Sequence, residues 1–394
     1  MERGTIIMYS IPAYGHINSN LYFLRGLSER GFRILYYSMD RFQVDIERNG
    51  CEYRSYPLGQ EAIDLTDGSK ILRLYHLILT YTRDMLPELK AQAEKEAPCA
   101  VVFDSLALWG RIMGELLGVP SYSFYSIAAI DRVLSKGFLA YASGFTAGFL
   151  KYAGEIPGAL SCRRSLKKKY GISGLDLLHV LMNRGDKNLM GYSQRFQPGG
   201  EVFGENYLFL GPMAAYRNTG DTGDSDETLA LKGTVIYISL GTVFNQNEGF
   251  IKAVFQQLGK TQYQVVMAWD CKEDDRLRIP GNFTVRPFVN QSQVMRRASL
   301  FITAGGMNSI HEAILWGVPC LMCPQQGEQL INAKQVERLG FGTVLGEPAG
   351  LLAQAEQTMR LKETWNETIR RELTAVHVEK AWELFENPGD SFRR

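Results

Sequence analysis

"TIIMYSIPAYGHINSNLYFLRGLSERGFRILYYS" spans Thr5 to Ser38. The apolar run TIIMYS has strand length. It gives way to a loop, IPAYGHINSN, and then to a helical stretch, LYFLRGLSERG, whose closing Gly31 suits the left-handed position after a helix. RILYYS (Arg33 to Ser38) reads as a second strand. Strand, helix and strand in this order make a βαβ unit, which requires parallel strands and a right-handed crossover.

The rhythm returns along the chain. AVVFD (Ala100 to Asp104) is followed by the helix SLALWGRIMGELLG and the strand VPSYSFY. Residues around 130 to 195 are helical or irregular and rich in aromatics, with Phe138, Tyr141, Phe145, Phe149 and Tyr152 spaced as core or as the wall of an apolar pocket. The stretch from Gly211 to Gly233 is polar, acidic and poor in large apolar residues, and reads as a linker. Beyond it the alternation restarts with TVIYISLGT, and continues through SLFITAGG, MNSIHEAILWG, PCLMCP and INAKQVERLG. The C-terminal ETWNETIRRELTAVHVEKAWELFEN reads as helix. The expected class is α/β: two Rossmann-like, doubly wound domains facing across a cleft, with ligands beyond the carboxyl ends of the strands.

Composition excludes several functions. Formal net charge over 394 residues is +1, so no global field recruits nucleic acid or an anionic membrane. The one basic cluster, CRRSLKKKY (Cys162 to Tyr170), reads as a solvated helix face. The opening MERGTIIMYS does not read as a signal peptide, and no window approaches a spanning helix; the expectation is a cytoplasmic protein. Six cysteines are spread along the chain; Cys320 and Cys323 have redox or zinc spacing, but GVPCLMCP reads as a buried strand. No G-x-G-x-x-G follows the first strand, and neither a P-loop nor a G-x-S-x-G elbow occurs. Asp224 and Asp226 have the acidic spacing that some metal-dependent sugar transferases use, but they fall in the linker and read as solvated chain.

Two constellations carry chemistry. His16 lies after the first strand, in the loop just before its helix, and Asp104 ends another parallel strand, so both stand at the carboxyl edge of one sheet. A histidine of near-neutral pKa takes a proton from a hydroxyl, and a carboxylate on its other nitrogen fixes the tautomer. The alternative is a loop histidine capping a helix and an aspartate N-capping SLALW. The second constellation is FITAGGMNSIHE (Phe301 to Glu312). Gly305 and Gly306 precede a helix beginning near Asn308 or Ser309, whose N-terminus favours a phosphate. Ser239 and Thr242 in SLGT offer hydroxyls; Ser309 and Glu312 also fit a capping box. Glu328 and Gln329 in GEQ suit vicinal hydroxyls. Together these describe a site for a diphosphate flanked by polyols, hence a nucleotide sugar.

With these residues in place, the chain resembles the bacterial macrolide- or natural-product-type UDP-glycosyltransferases of GT-B fold. The resemblance covers nearly the whole length and is strongest at PAYGHINSNL, YISLGT, VRPFVNQSQVMRRASLFITAGGMNSIHEAILWGVP and PQQGEQLINAKQVERLGFG. It implies an inverting hexosyltransferase that moves a sugar, by default glucose, from a UDP-sugar co-substrate to an apolar small-molecule acceptor without a metal or other cofactor. Residues 1–211 would bind the acceptor, 212–233 would link, 234–375 would bind the nucleotide sugar, and 376–394 would form a tail that packs back on the first domain. His16 would be the base and Asp104 its support. Phe288 would stack on uracil and the Val289 backbone would bond it. Glu312 would hold the ribose; Gly305, Gly306, Asn308 and Ser309 the diphosphate; Glu328 and Gln329 the sugar. The expected partners are donor and acceptor only, with no nucleic acid and no membrane, in a monomer or weak dimer.

The sequence departs from the family pattern at Ser19 and Asn290, where proline is frequent, and at Ala304, where the family has a histidine that donates to the diphosphate. A lost hydrogen bond to a charged partner is worth about 1.5–3 kcal/mol. The alternatives are a same-fold cell-wall or lipid-linked transferase, and a catalytically silent partner protein that keeps the fold.

Overall fold

The structure is a computed structural model, and it describes residues 3–58, 71–129, 152–213, 231–241, 248–270, 279–325 and 327–387. Phe138, Tyr141, Phe145, Phe149, Thr242 and the Asp224–Asp226 pair lie outside the described residues, as does most of the expected linker. The chain divides into two compact units, Met1–Arg217 with Ala375–Arg394, and Asn218–Thr374.

The first unit is built on seven strands: β1 Gly4–Tyr9, β2 Phe32–Ser38, β3 Glu52–Ser55, β4 Ala100–Asp104, β5 Ser121–Tyr125, β6 Lys187–Met190 and β7 Tyr207–Phe209. Their order is β3-β2-β1-β4-β5-β6-β7, every pair parallel. Helices α1 Tyr14–Glu29, α2 Gln43–Arg48, α3 Ile71–Glu96, α4 Leu108–Leu117, α5 Ile156–Tyr170 and α6 Leu177–Met182 belong to this unit. The strands β1, β4 and β5 are buried along almost their whole length, as the continuous apolar runs require of a sheet covered on both faces. Reversal of strand order at β1 and β4 puts the switch point beside the ends of those two strands, where Asp104 stands.

The second unit carries β8 Val235–Ser239, β9 Gln264–Ala268, β10 Phe283–Arg286, β11 Ala298–Thr303, β12 Cys320–Met322 and β13 Gly342–Val344, in the order β10-β9-β8-β11-β12-β13 and again all parallel. Its helices are α7 Glu248–Leu258, α8 Gln291–Met295, α9 Met307–Trp316, α10 Gly327–Leu339, α11 Leu351–Arg360 and α12 Glu367–Thr374. Here the switch falls at β8 and β11, and their last residues, Ser239 and Thr303, are register partners. Among the described residues, no helix is long and apolar enough to cross a membrane.

The last helix, α13 Glu379–Glu386, belongs to the first unit. The C-terminal stretch is therefore two helices, α12 and α13, and not the single one its periodicity suggests. The break is where the chain runs against Gly211: a Cβ there would lie 1.9 Å from the Ala375 carbonyl oxygen, and the His377 amide donates to the Leu210 carbonyl at 2.8 Å. Trp382 then fills the notch over Gly26, stacks on Phe23 and donates its Nε1–H to the Phe23 carbonyl at 3.0 Å. Phe385 stacks on Tyr122 with centroids 4.0 Å apart.

Candidate active site

In the first unit, α1 begins at Tyr14, so the loop after β1 is far shorter than the sequence suggests and His16 sits in the first helical turn. The polar residues that looked like loop are turned inward. Ser19 Oγ donates to the His16 carbonyl at 2.7 Å and Asn20 Nδ2 at 3.0 Å, while Tyr36 Oη donates to Asn20 Oδ1 at 2.8 Å. Ser19, Asn20 and Tyr36 are all fully buried. Side chains of this kind compete with the backbone for hydrogen bonds, so the sequence reads them as loop when nothing else is known. The hydroxyl of Ser19 thus caps the carbonyl of His16 where the family pattern has a proline.

Asp104, at the end of β4 and fully buried, divides its oxygens between two tasks. Oδ2 stands 2.6 Å from His16 Nδ1, and Oδ1 accepts from the Leu106 amide at 2.9 Å. The His16–Asp104 pairing is present, whereas the capping alternative is not: α4 starts at Leu108 with Ala107 as its N-cap and no side-chain cap, and the bond to the Leu106 amide only turns the chain after β4. Ser126 Oγ is 2.9 Å from the same His16 nitrogen, a partner that the sequence reading missed. Its signal was position: Ser126 follows β5, next to β4 in the sheet. A carboxylate oxygen only accepts, so Asp104 places the proton of a neutral imidazole on Nδ1 and makes Nε2 the basic nitrogen.

In the second unit, Gly305 follows β11 with φ of +97°, a left-handed conformation that glycine adopts without strain. A Cβ there would meet Met322 Cε at 2.9 Å and the Gln329 carbonyl oxygen at 3.3 Å. Gly306 is exposed and is the N-cap of α9; no side chain caps this helix and no acidic residue stands in its first turn. That is the electrostatic condition for an anion. The helix starts at Met307, slightly earlier than expected, with Asn308 and Ser309 half-buried in its first turn. Ala304 is 2% exposed and belongs to an apolar cluster with Ile238, Leu240, Phe250 and Cys323. Ser239 is half-buried at the end of β8.

Glu312 is 2% exposed and accepts from Gln291 Nε2 at 2.6 Å and from Ser292 Oγ. The expected capping box does not form: Ser309 is inside the helix rather than at its N-cap, and Glu312 turns to α8. Gln291 and Ser292 were not singled out from the sequence, and only the packing of α8 on α9 brings them to this carboxylate. Phe288 is 85% exposed, the most open large apolar side chain among the described residues, and Val289 beside it is half-buried. Glu328 and Gln329 occupy the first turn of α10 rather than a preceding loop. Gln329 Oε1 accepts from the Gln325 amide at 2.7 Å.

Burial lowers the pKa of His311, within α9, to about 4, so it is neutral near pH 7 and adds no charge to the helix. Burial also pushes the thiols of Cys320 and Cys323 up to about 12, in keeping with a core strand. Among the described residues no group of His, Cys, Asp and Glu is assembled to hold a metal ion.

The sequence profile of the UDP-glucoronosyl and UDP-glucosyl transferase family matches residues 226–373. The NDP-glycosyltransferase YjiC of Bacillus licheniformis is 30% identical over 353 residues, covering 87% of this chain and 85% of its own. YojK of Bacillus subtilis, described as an uncharacterized UDP-glucosyltransferase, is 27% identical over the same length, covering 86% and 84%. The chain belongs to this UDP-glycosyltransferase family. The crystal structure of the glycotransferase of kitacinnamycin superposes with a TM-score of 0.81 at 24% identity, over 97% of this chain and 98% of that one. The fold of this glycosyltransferase is GT-B, with two parallel-sheet α/β domains, as expected from the resemblance. The protein is a hexosyltransferase, and its family works on nucleotide-sugar donors.

Proposed function

We propose that this glycosyltransferase moves glucose from UDP-glucose, with inversion, to a hydroxyl of an apolar natural product. The observation that carries this reading is the His16–Asp104 pair, 2.6 Å apart, with the carboxylate fully buried behind the imidazole. In this reading, His16 Nε2 removes the acceptor's hydroxyl proton as the oxygen attacks the anomeric carbon. The proton passes to the imidazole, and Asp104 stabilises the imidazolium through Nδ1–H. The bond from the anomeric carbon to the diphosphate breaks, and UDP leaves with the electron pair. The peptide N–H groups at the start of α9 meet its growing charge, with the hydroxyl of Ser239 at the end of β8.

The remaining assignments follow from chemistry. Phe288 offers an open ring face to uracil, with the Val289 backbone at the base edge. Glu312, held by Gln291 and Ser292, meets the ribose, and Glu328 and Gln329 meet the sugar. Residues 1–211 take the acceptor and 234–375 the donor, with no metal in the step. The natural-product acceptor is supported by the likeness to a glycotransferase named for kitacinnamycin. The protein is proposed to act in the cytoplasm as a monomer or weak dimer.

The test is His16→Ala, assayed by mass spectrometry with UDP-glucose and a panel of macrolide and phenolic acceptors. Transfer is expected to fall by about 10²–10⁴-fold, with UDP binding unchanged. Wild-type turnover in the variant would remove His16 as the base.

A further inference from the structure

Asn332, in the second turn of α10, is fully buried, an unusual place for an amide. Its Nδ2 donates to the Gly305 carbonyl at 3.0 Å and to Glu328 Oε1 at 3.3 Å. Its Oδ1 has no hydrogen-bonding partner among the described residues. These two acceptors fix which way the amide points, since reversing it would set its oxygen against both of them. A buried amide that leaves its oxygen unpaired is costly, so the value of this side chain lies in what its NH₂ group holds.

What it holds is two parts of one site. Gly305 is the turn before α9, held at a φ of +97° that side chains rarely adopt and packed close to Met322 and Gln329. Its carbonyl fixes the plane of the next peptide, whose N–H belongs to Gly306. Glu328 lies in the first turn of α10. We propose that Asn332 is a positioning residue for sugar transfer: one NH₂ group ties the diphosphate loop at Gly305 to the carboxylate at Glu328, holding the diphosphate and sugar ends of the donor site in register. This rests on the donor-site reading above. Asn332 does not touch the donor; it acts through the groups that do.

The test measures UDP affinity by calorimetry, and KM and kcat for UDP-glucose, in the wild type, Asn332→Ala, Glu328→Ala and the double variant, with Tm recorded for each. In Asn332→Ala the UDP Kd is expected to rise about tenfold and the donor KM further still, at temperatures where the variant remains folded. Glu328→Ala removes the acceptor of the second tie and should leave UDP affinity near that of the wild type. In its background, Asn332→Ala should cost the donor KM only what it costs UDP, because the second tie is already lost. Asn332→Asp keeps the shape but sets an oxygen against both acceptors; it should bind UDP no better than the alanine variant, whereas a side chain that merely fills space would be rescued. If the wild type binds no UDP, the donor-site reading falls and this inference with it. If the wild type binds UDP and a folded Asn332→Ala binds it equally well, or if the two substitutions are additive in donor KM, this inference alone is overturned.

Discussion

Ala304 carries a methyl group where the family resemblance calls for an imidazole, and its surroundings say what that exchange means. The residue is 2% exposed and sits in the apolar cluster of the second unit with Leu240, Phe250 and Cys323. An imidazole at this position has to push into the buried apolar cluster, and overpacking of this kind costs about 1–3 kcal/mol. Ala304→His is therefore expected to lower Tm without lowering the KM for UDP-glucose. A differential scan and a donor titration check this together, and a variant with unchanged Tm and tighter donor binding would show the position to be a vacant diphosphate contact. The identity of residue 304 was plain in the sequence, but its burial was not. The alternation of β11 allows either face for the residue after Thr303, and only the packing of α7 and β12 around it decides. Glu312 teaches the same lesson from the other side. Its spacing from Ser309 fitted a capping box, yet its carboxylate is satisfied by Gln291 and Ser292 of another helix.

Helix α9 holds His311 one residue before Glu312, buried and with Nδ1 3.0 Å from the Met307 carbonyl oxygen. Burial depresses the folded-state pKa to about 4, from an ordinary value of 6.5. The unfolded chain then takes up this proton first as pH falls. The helix's contribution is fully present above pH 6.5 and is lost progressively toward pH 4, up to about 3 kcal/mol in all. Chemical denaturation of the wild type and of His311→Leu across this range should show the wild type losing more stability on acidification than the variant. Parallel slopes would refute the assignment. The elements themselves were largely legible, with β4, β11 and the helix after the glycine pair falling close to where the apolar runs placed them. Boundaries failed where polar residues bond back to their own helix. Ser19 and Asn20 hid the start of α1, and Gly327 to Gln329 proved to be the first turn of α10.

At the scale of the molecule, each unit has its own apolar cluster. One gathers Phe23, Phe103, Trp109, Phe124 and Trp382; the other gathers Ile236, Leu258, Leu300 and Leu321. Trp382→Ala removes a ring that packs on Phe23 and fills the space over Gly26, and is expected to cost about 3–5 kcal/mol. Hydrogen exchange should report this loss at amides of β1, β2 and α1 while protection in β8, β11 and α9 is kept; equal loss in both units would contradict separate cores. The sequence by itself determined the strand–helix alternation, and with it the two parallel sheets. It also determined the glycine turn at Gly305, and the presence of His16 after β1 and of Asp104 at the end of β4. These are properties of local pattern, readable within a window of a few dozen residues. Only the tertiary structure decided that the chain after Ala375 returns to the first unit, that Ser126 shares His16 with Asp104, that Ala304 faces core, and that Asn332 joins Gly305 to Glu328. These depend on contacts between residues far apart in the chain, up to 359 positions for Trp382 and Phe23, and hydrophobic patterning says which face is buried without saying against what.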